Sequence, residues 1–168
     1  MGATTFSHIA YGKTAREAFA QAQDQAGWEH GHGGYSGTIV EKPGFVLFEI
    51  PKGVRCSAYR FMELVDEAEE MSESGYLEDS LQYARSATEK RKLEAQIRKE
   101  ERRSAAWWKK LNPSLAEVVR RAAPVYHDKW EACVAVEMAG QEAVKIKERH
   151  GRKGTHDKVF LFAGWASC

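Results

Sequence analysis

The sequence predicts a single α+β domain over residues 1–168, built on a mainly antiparallel sheet of five or six strands with helices on one side. Three observations predict it. Alternating or doubly apolar runs at both ends of the chain read as strands. Two segments in the first half repeat their apolar residues at helical spacing. Between these halves, residues 75–123 carry so much charge that they form a helical insertion, an arm the sheet does not need. The expected order is β-α-β-β-α, the insertion, then β-β-β.

Residues 5–11 form the first strand, and Gly12 ends it. Thr14-Ala15-Arg16-Glu17 is a capping box that opens a helix to Gln25 or Ala26, with Ala15, Ala18, Phe19, Ala22 and Ala26 as a small-residue stripe for close packing. Regular structure should stop at Gly27. Residues 37–41 and 45–50 then flank Lys42-Pro43-Gly44 as a hairpin, the second arm apolar on both sides and so either covered on both sides or centrally placed. Ala58, Phe61, Met62, Val65 and Ala68 place a second helix over residues 57–70.

Residues 76–111 read as one long charged helix with a narrow seam of Leu77, Leu81, Ala84, Leu93, Ile97 and Leu111. Asn112-Pro113-Ser114 breaks it, and a short helix over residues 114–122 should end before Pro124. Residues 130–138 alternate as a half-buried strand, residues 143–147 form the next, and residues 159–165, apolar on both faces, belong inside the sheet.

Composition excludes several classes. No apolar run approaches the roughly 18 residues of a membrane span, and the first residues lack the pattern of a signal peptide, so the expected setting is the cytosol without membrane contact. Cys56, Cys133 and Cys168 fall in no paired motif, which argues against disulfides and a zinc site. The net charge of +1 hides strong segregation. Residues 1–84 hold 6 Lys/Arg against 13 Asp/Glu, whereas residues 85–110 hold 10 against 4.

The densest cluster of polar chemistry is the glycine junction after the first helix, with Gly27, Gly31, Gly33, Gly34 and Gly37. Its candidate ligand-binding residues are His30, His32, Gly33, Gly34, Tyr35, Ser36, Thr38 and Glu41, with Asp128 and Lys129 further on. Imidazoles, hydroxyls and backbone N–H groups on such a loop suit an anionic small molecule, for example a nucleotide. The alternative is a helix-to-strand connector with its helix C-cap at Gly27 or Gly31. For catalysis, His30 or His32 would be the base, Ser36 or Tyr35 the nucleophile or acid, and Glu41 or Asp128 the orienting carboxylate; no triad spacing supports that assignment. No cofactor or metal is implied.

Gly33-Gly34-Tyr35-Ser36-Gly37-Thr38-Ile39 with Glu41-Lys42, then Asp128-Lys129-Trp130, then Phe160-Leu161-Phe162-Ala163-Gly164-Trp165-Ala166-Ser167 resembles small uncharacterised proteins of bacteriophages and prophages. The resemblance covers residues 4–62 and 124–168 and skips the charged segment. It implies a phage context within a host cell and an accessory role such as modulating host defence, with no mechanism attached. It also draws attention to the glycine loop as a site.

The charged arm suggests interaction. Leu93, Ile97, Trp107 and Trp108, flanked by Arg102 and Arg103, are the candidate anchors for a protein partner or a homodimer. An antiparallel pairing of the acidic run 63–79 with the basic run 85–110, within one chain or between two, would neutralise both. Nucleic acid is the other expectation, through the basic run and base stacking on the two tryptophans.

Overall fold

In the computed structural model, which describes residues 2–31, 36–71 and 74–167, the α+β class holds but the sheet has four strands and is mixed. The strands are β1 (Ala3–Gly12), β2 (Phe45–Phe48), β3 (Cys133–Met138) and β4 (Lys158–Ser167), in the order β1-β4-β3-β2. Strand β4 runs antiparallel to both β1 and β3, while β2 and β3 are parallel. The described residues form six α-helices: α1 (Ala15–His30), α2 (Ala58–Glu70), α3 (Ser74–Tyr83), α4 (Ala87–Lys110), α5 (Pro113–His127) and α6 (Gly140–Arg149).

Two of the expected strands do not form. Residues 37–41 hold a 3-10 turn, Ile39–Glu41, because the Thr38 hydroxyl caps it by accepting from Val40 N at 3.4 Å and the neighbouring polar side chains bond locally. Such side-chain bonds compete with a strand ladder. The expected hairpin therefore gives way to a parallel pair, with Val46 opposite Val134 and Phe48 opposite Val136. Residues 143–147 belong to α6. Their short apolar alternation also fits a helix that buries Ile146 alone, and Gln141 to Lys147 contains strong helix formers.

Helices cover both faces of the sheet, not one. Val134, Val136, Val159 and Leu161 face α2 and α5 in one buried cluster, and Cys133, Ala135, Phe160 and Phe162 face α1 in another. Strand β3, expected to be half-buried, is thus enclosed on both sides, and Glu137 is its one exposed residue. Alternation of two apolar residue sets reads the same in a two-sided strand as in a one-sided one when small residues such as Ala135 form one of the sets. Strand β4 occupies the interior position that its doubly apolar sequence predicts.

Thr14 caps α1 through its hydroxyl, which accepts from Glu17 N at 3.2 Å, while the Glu17 carboxylate accepts from Lys13 N at 2.8 Å. The helix continues through Gly27, which is buried against the sheet layer, and ends at Gly31, whose φ of 83° suits a residue without a Cβ. Helix α5 likewise runs past Pro124 to His127. The long charged pattern is two helices, since Ser86 restarts it: its hydroxyl accepts from Glu89 N at 3.1 Å, and the Glu89 carboxylate accepts from Arg85 N at 3.0 Å. Among the described residues no helix is long and apolar enough to cross a membrane.

Candidate functional site

Two regions bring together the residues singled out in the sequence. At the glycine junction, Ser36 donates twice to the same Glu41 carboxylate oxygen, from its backbone N–H and from its hydroxyl, at 2.9 Å each. The Ser36 and Thr38 hydroxyls are 2.8 Å apart, and Gly37 N donates to the Ser167 carbonyl at 2.9 Å. The Gln23 side-chain amide on α1 donates to the Lys42 carbonyl at 2.8 Å. His32, Gly33, Gly34 and Tyr35 lie outside the described residues. His30 is exposed at the end of α1, 4.0 Å from Glu29.

Lys42 is 1% exposed, with its ammonium donating to the Asp128 carbonyl. Burial lowers its pKa from the ordinary lysine value, the opposing influences being Cys133, Asp128 and Glu131. The Cys133 thiol is pushed up to about 12 by burial, so it stands as a neutral packing group. The Asp128 carboxylate accepts from Trp130 N at 2.9 Å and Glu131 N at 3.0 Å, and these two bonds hold its pKa below the usual carboxylate value. Lys129 sits 5.3 Å from the Trp130 ring centre. Gly164 closes the arrangement: a Cβ there would come within 3.2 Å of the Tyr126 carbonyl.

Residues 36–42, Asp128 and Ser167, far apart in the chain, therefore meet in space. Their polar groups bond to one another. Glu41 fills the place that an anionic ligand would take beside the Ser36 N–H, and Asp128 is turned into its own chain. Chemically, this is a clamp that ties the junction to β4 and to the loop entering β3. Among the described residues no group of three or more His, Cys, Asp or Glu is arranged to hold a metal ion.

The second region is the arm. Trp107 and Trp108 meet edge to face, ring centres 4.7 Å apart, at the root of α4. Trp107 Nε1 donates to Glu67 on α2 at 3.2 Å, and the Arg120 guanidinium of α5 stacks 4.3 Å from the Trp108 ring centre. Both indoles are half-buried against the core of the body. They hold the arm to the sheet domain. Leu93 and Ile97 are half-buried further along. A groove of about 840 Å³ runs between the end of α2, α3 and α4, with Tyr76, Leu77, Lys99, Arg103 and Trp108 among its walls.

Helix α4 buries no residue completely. Its partly covered side is Leu93, Ile97, Glu100, Ser104, Trp107 and Trp108. At about 100° per residue, Arg91, Arg98, Arg102 and Lys109 project within roughly 40° of one line. Lys92, Lys99, Arg103 and Lys110 project along a second, about 100° further round. All of these cations are exposed. Together they make a face whose midline lies nearly opposite the covered side, with Lys99 and Arg103 also bordering the groove, roughly 28 Å long at 1.5 Å per residue. Thr88, Ala95 and Ala106, all exposed, lie between the rows, and Glu89, Glu94, Glu100 and Glu101 project outside them.

Within the chain, three acidic residues of α2 pair with groups outside α4. Glu63 and Glu67 pair with Arg60 at 2.9 Å each, and Glu69 pairs with His127. The ion pairs of α4, Arg98 with Glu94 at 3.7 Å and Arg103 with Glu100 at 3.4 Å, are internal to the helix. Projecting the charges onto the helix reveals the two rows, whereas counting them along the chain hides them. Compared with known proteins, the chain matches no family model, no curated protein and no solved structure.

Proposed function

We propose that the protein is a nucleic-acid-binding protein that lays the basic face of α4 against duplex phosphates. The observation that carries the reading is the pair of cation rows, exposed and free of interleaved carboxylates, on a helix anchored to a rigid sheet domain by Trp107 and Trp108. A major groove about 12 Å wide admits an α-helix, and rows on its two flanks reach the two backbones. Small residues between the rows let the helix approach closely while offering little to read bases with, so binding depends chiefly on phosphate and weakly on sequence.

The acidic residues that a homodimer of arms would use are in part already engaged by Arg60, Trp107 and His127, which weakens the motive for self-pairing. The test is fluorescence anisotropy with a labelled 24-base-pair duplex across a salt series. The expected affinity is in the ~1–100 µM range at physiological salt, with log K falling by about 0.9 per phosphate neutralised as log salt rises. Reversing Lys99 and Arg102 to glutamate should abolish binding. No binding at low salt, or unchanged binding in that variant, refutes the proposal. Equal binding to polyglutamate would point instead to an acidic protein partner.

A further inference from the structure

A cavity of about 440 Å³, separate from both regions above, lies at the free edge of the sheet. Five consecutive residues of β1, from Ser7 to Tyr11, line it, so it opens along the strand's edge and not over either face. Among the described residues strand β1 is paired with β4 alone, which leaves its outer row of backbone N–H and C=O groups facing this slot. Gln21 and Gln25 of α1 form one wall; Tyr59 of α2, with His150 and Arg152, forms the other.

Two of the side chains that line the slot carry a buried polar atom without a hydrogen-bond partner, the Tyr11 hydroxyl and His8 Nε2. Tyr11 is only 8% exposed, and its ring is stacked by the Arg152 guanidinium at 4.5 Å and met edge-on by His150 at 5.9 Å. Arg152 also lies 3.4 Å from Asp157. His8 points to the α1 side of the sheet with its pair partner Phe162, and Tyr11 to the α2 side. An unpaired backbone edge, two orphaned polar groups on opposite faces, and a cation beside one of them are what an added strand requires.

We infer that the β1 edge binds an extended, carboxylate-bearing peptide segment of another protein, which joins the sheet as a fifth strand. Its backbone pairs with β1, its carboxylate meets Arg152 and the Tyr11 hydroxyl on one face, and a hydroxyl or amide side chain meets His8 on the other. Because Tyr11 and His8 are three residues apart, the two recognised side chains of the peptide also stand three apart. Five residues of β1 give a contact of roughly 16 Å at ~3.3 Å per residue. The helix wall and the Tyr59–Arg152 wall rise on both sides of the edge, which favours a lone strand over the helix-covered sheet of a second copy. This site is independent of the α4 reading.

The experiment selects a displayed library of random decapeptides on the full chain, then measures the winners by calorimetry. Winners should carry an acidic residue three positions from Ser, Thr, Asn or Gln. Arg152→Gln and, separately, Tyr11→Phe should each weaken them about tenfold, and Tyr11→Phe should melt no lower than the parent because it removes an unpartnered hydroxyl. N-methylation of alternate peptide amides should abolish binding, while Lys99→Glu should leave it unchanged. The inference falls if no peptide is selected, if the winners bind the Arg152→Gln and Tyr11→Phe variants as well as the parent, or if N-methylation is harmless. Slow amide exchange along β1 that deepens with protein concentration in the absence of peptide would also overturn it, in favour of edge pairing between two copies.

Discussion

The glycine junction and helix α4 hold the two densest collections of polar groups in the chain, and they dispose of them in opposite ways. Among the described residues of the junction, donors meet acceptors nearby: Ser36 meets Glu41, Gly37 meets Ser167, and Lys42 meets Asp128. On α4 the cations meet one another's neighbours on the same helix or meet solvent. Chemical richness by itself therefore does not mark a site. What differs is whether the groups are used up by the fold. Buried polar groups left unpaired are costly, so an interior loop closes on itself, whereas exposed charges on a helix carry little penalty and remain available.

The sharpest way to break this contrast is at Lys42. Lys42→Ala should lower stability by about 3 kcal/mol, because it leaves a void and an unpaired Asp128 carbonyl. Lys42→Met, which keeps most of the volume, should lower it much less. Urea denaturation measures both, and parental stability in Lys42→Ala would mean the junction is not a clamp. Next in size is Trp108→Ala, expected to lose about 2 kcal/mol through the Arg120 stacking and the half-buried indole. Hydrogen exchange in α4 should rise in that variant while the β3 and β4 amides stay protected.

The basic face should behave in the reverse manner. Combining Lys99→Glu with Arg102→Glu should alter stability by no more than about 0.5 kcal/mol, since neither side chain is enclosed, yet remove duplex binding. A large loss of stability would show that the face packs on something within the molecule. The smallest effect is expected at His8, where burial lowers the pKa below the ordinary 6.5. Above pH 6.5 the imidazole is neutral in both folded and unfolded chains, and its contribution to stability is complete. As pH falls below that value the unfolded chain takes the proton first, so stability declines. Melting temperatures at pH 7.5 and 5.5 should therefore drop further for the parent than for His8→Asn.

The sequence by itself determined the elements whose signals are local. The Thr14 cap, the small stripe of α1, the periodicity of α2, the doubly apolar β4 and the charged nature of residues 87–110 follow from neighbours within a turn or two, and each is present. Tertiary structure alone decided the rest. The four-strand order with its parallel β2–β3 pair, and helices on both faces, depend on contacts between residues more than eighty positions apart, such as Val46 with Val134. The fate of the junction is of the same kind: Ser36, Thr38 and Glu41 advertise ligand chemistry in one dimension, and the carbonyls of Asp128 and Ser167 that complete the clamp arrive from the far end of the chain. The β1 slot had no sequence signature at all, because His8, Tyr11, Tyr59, His150 and Arg152 share a surface only once α1, α2 and the loop after α6 pack around a single strand edge.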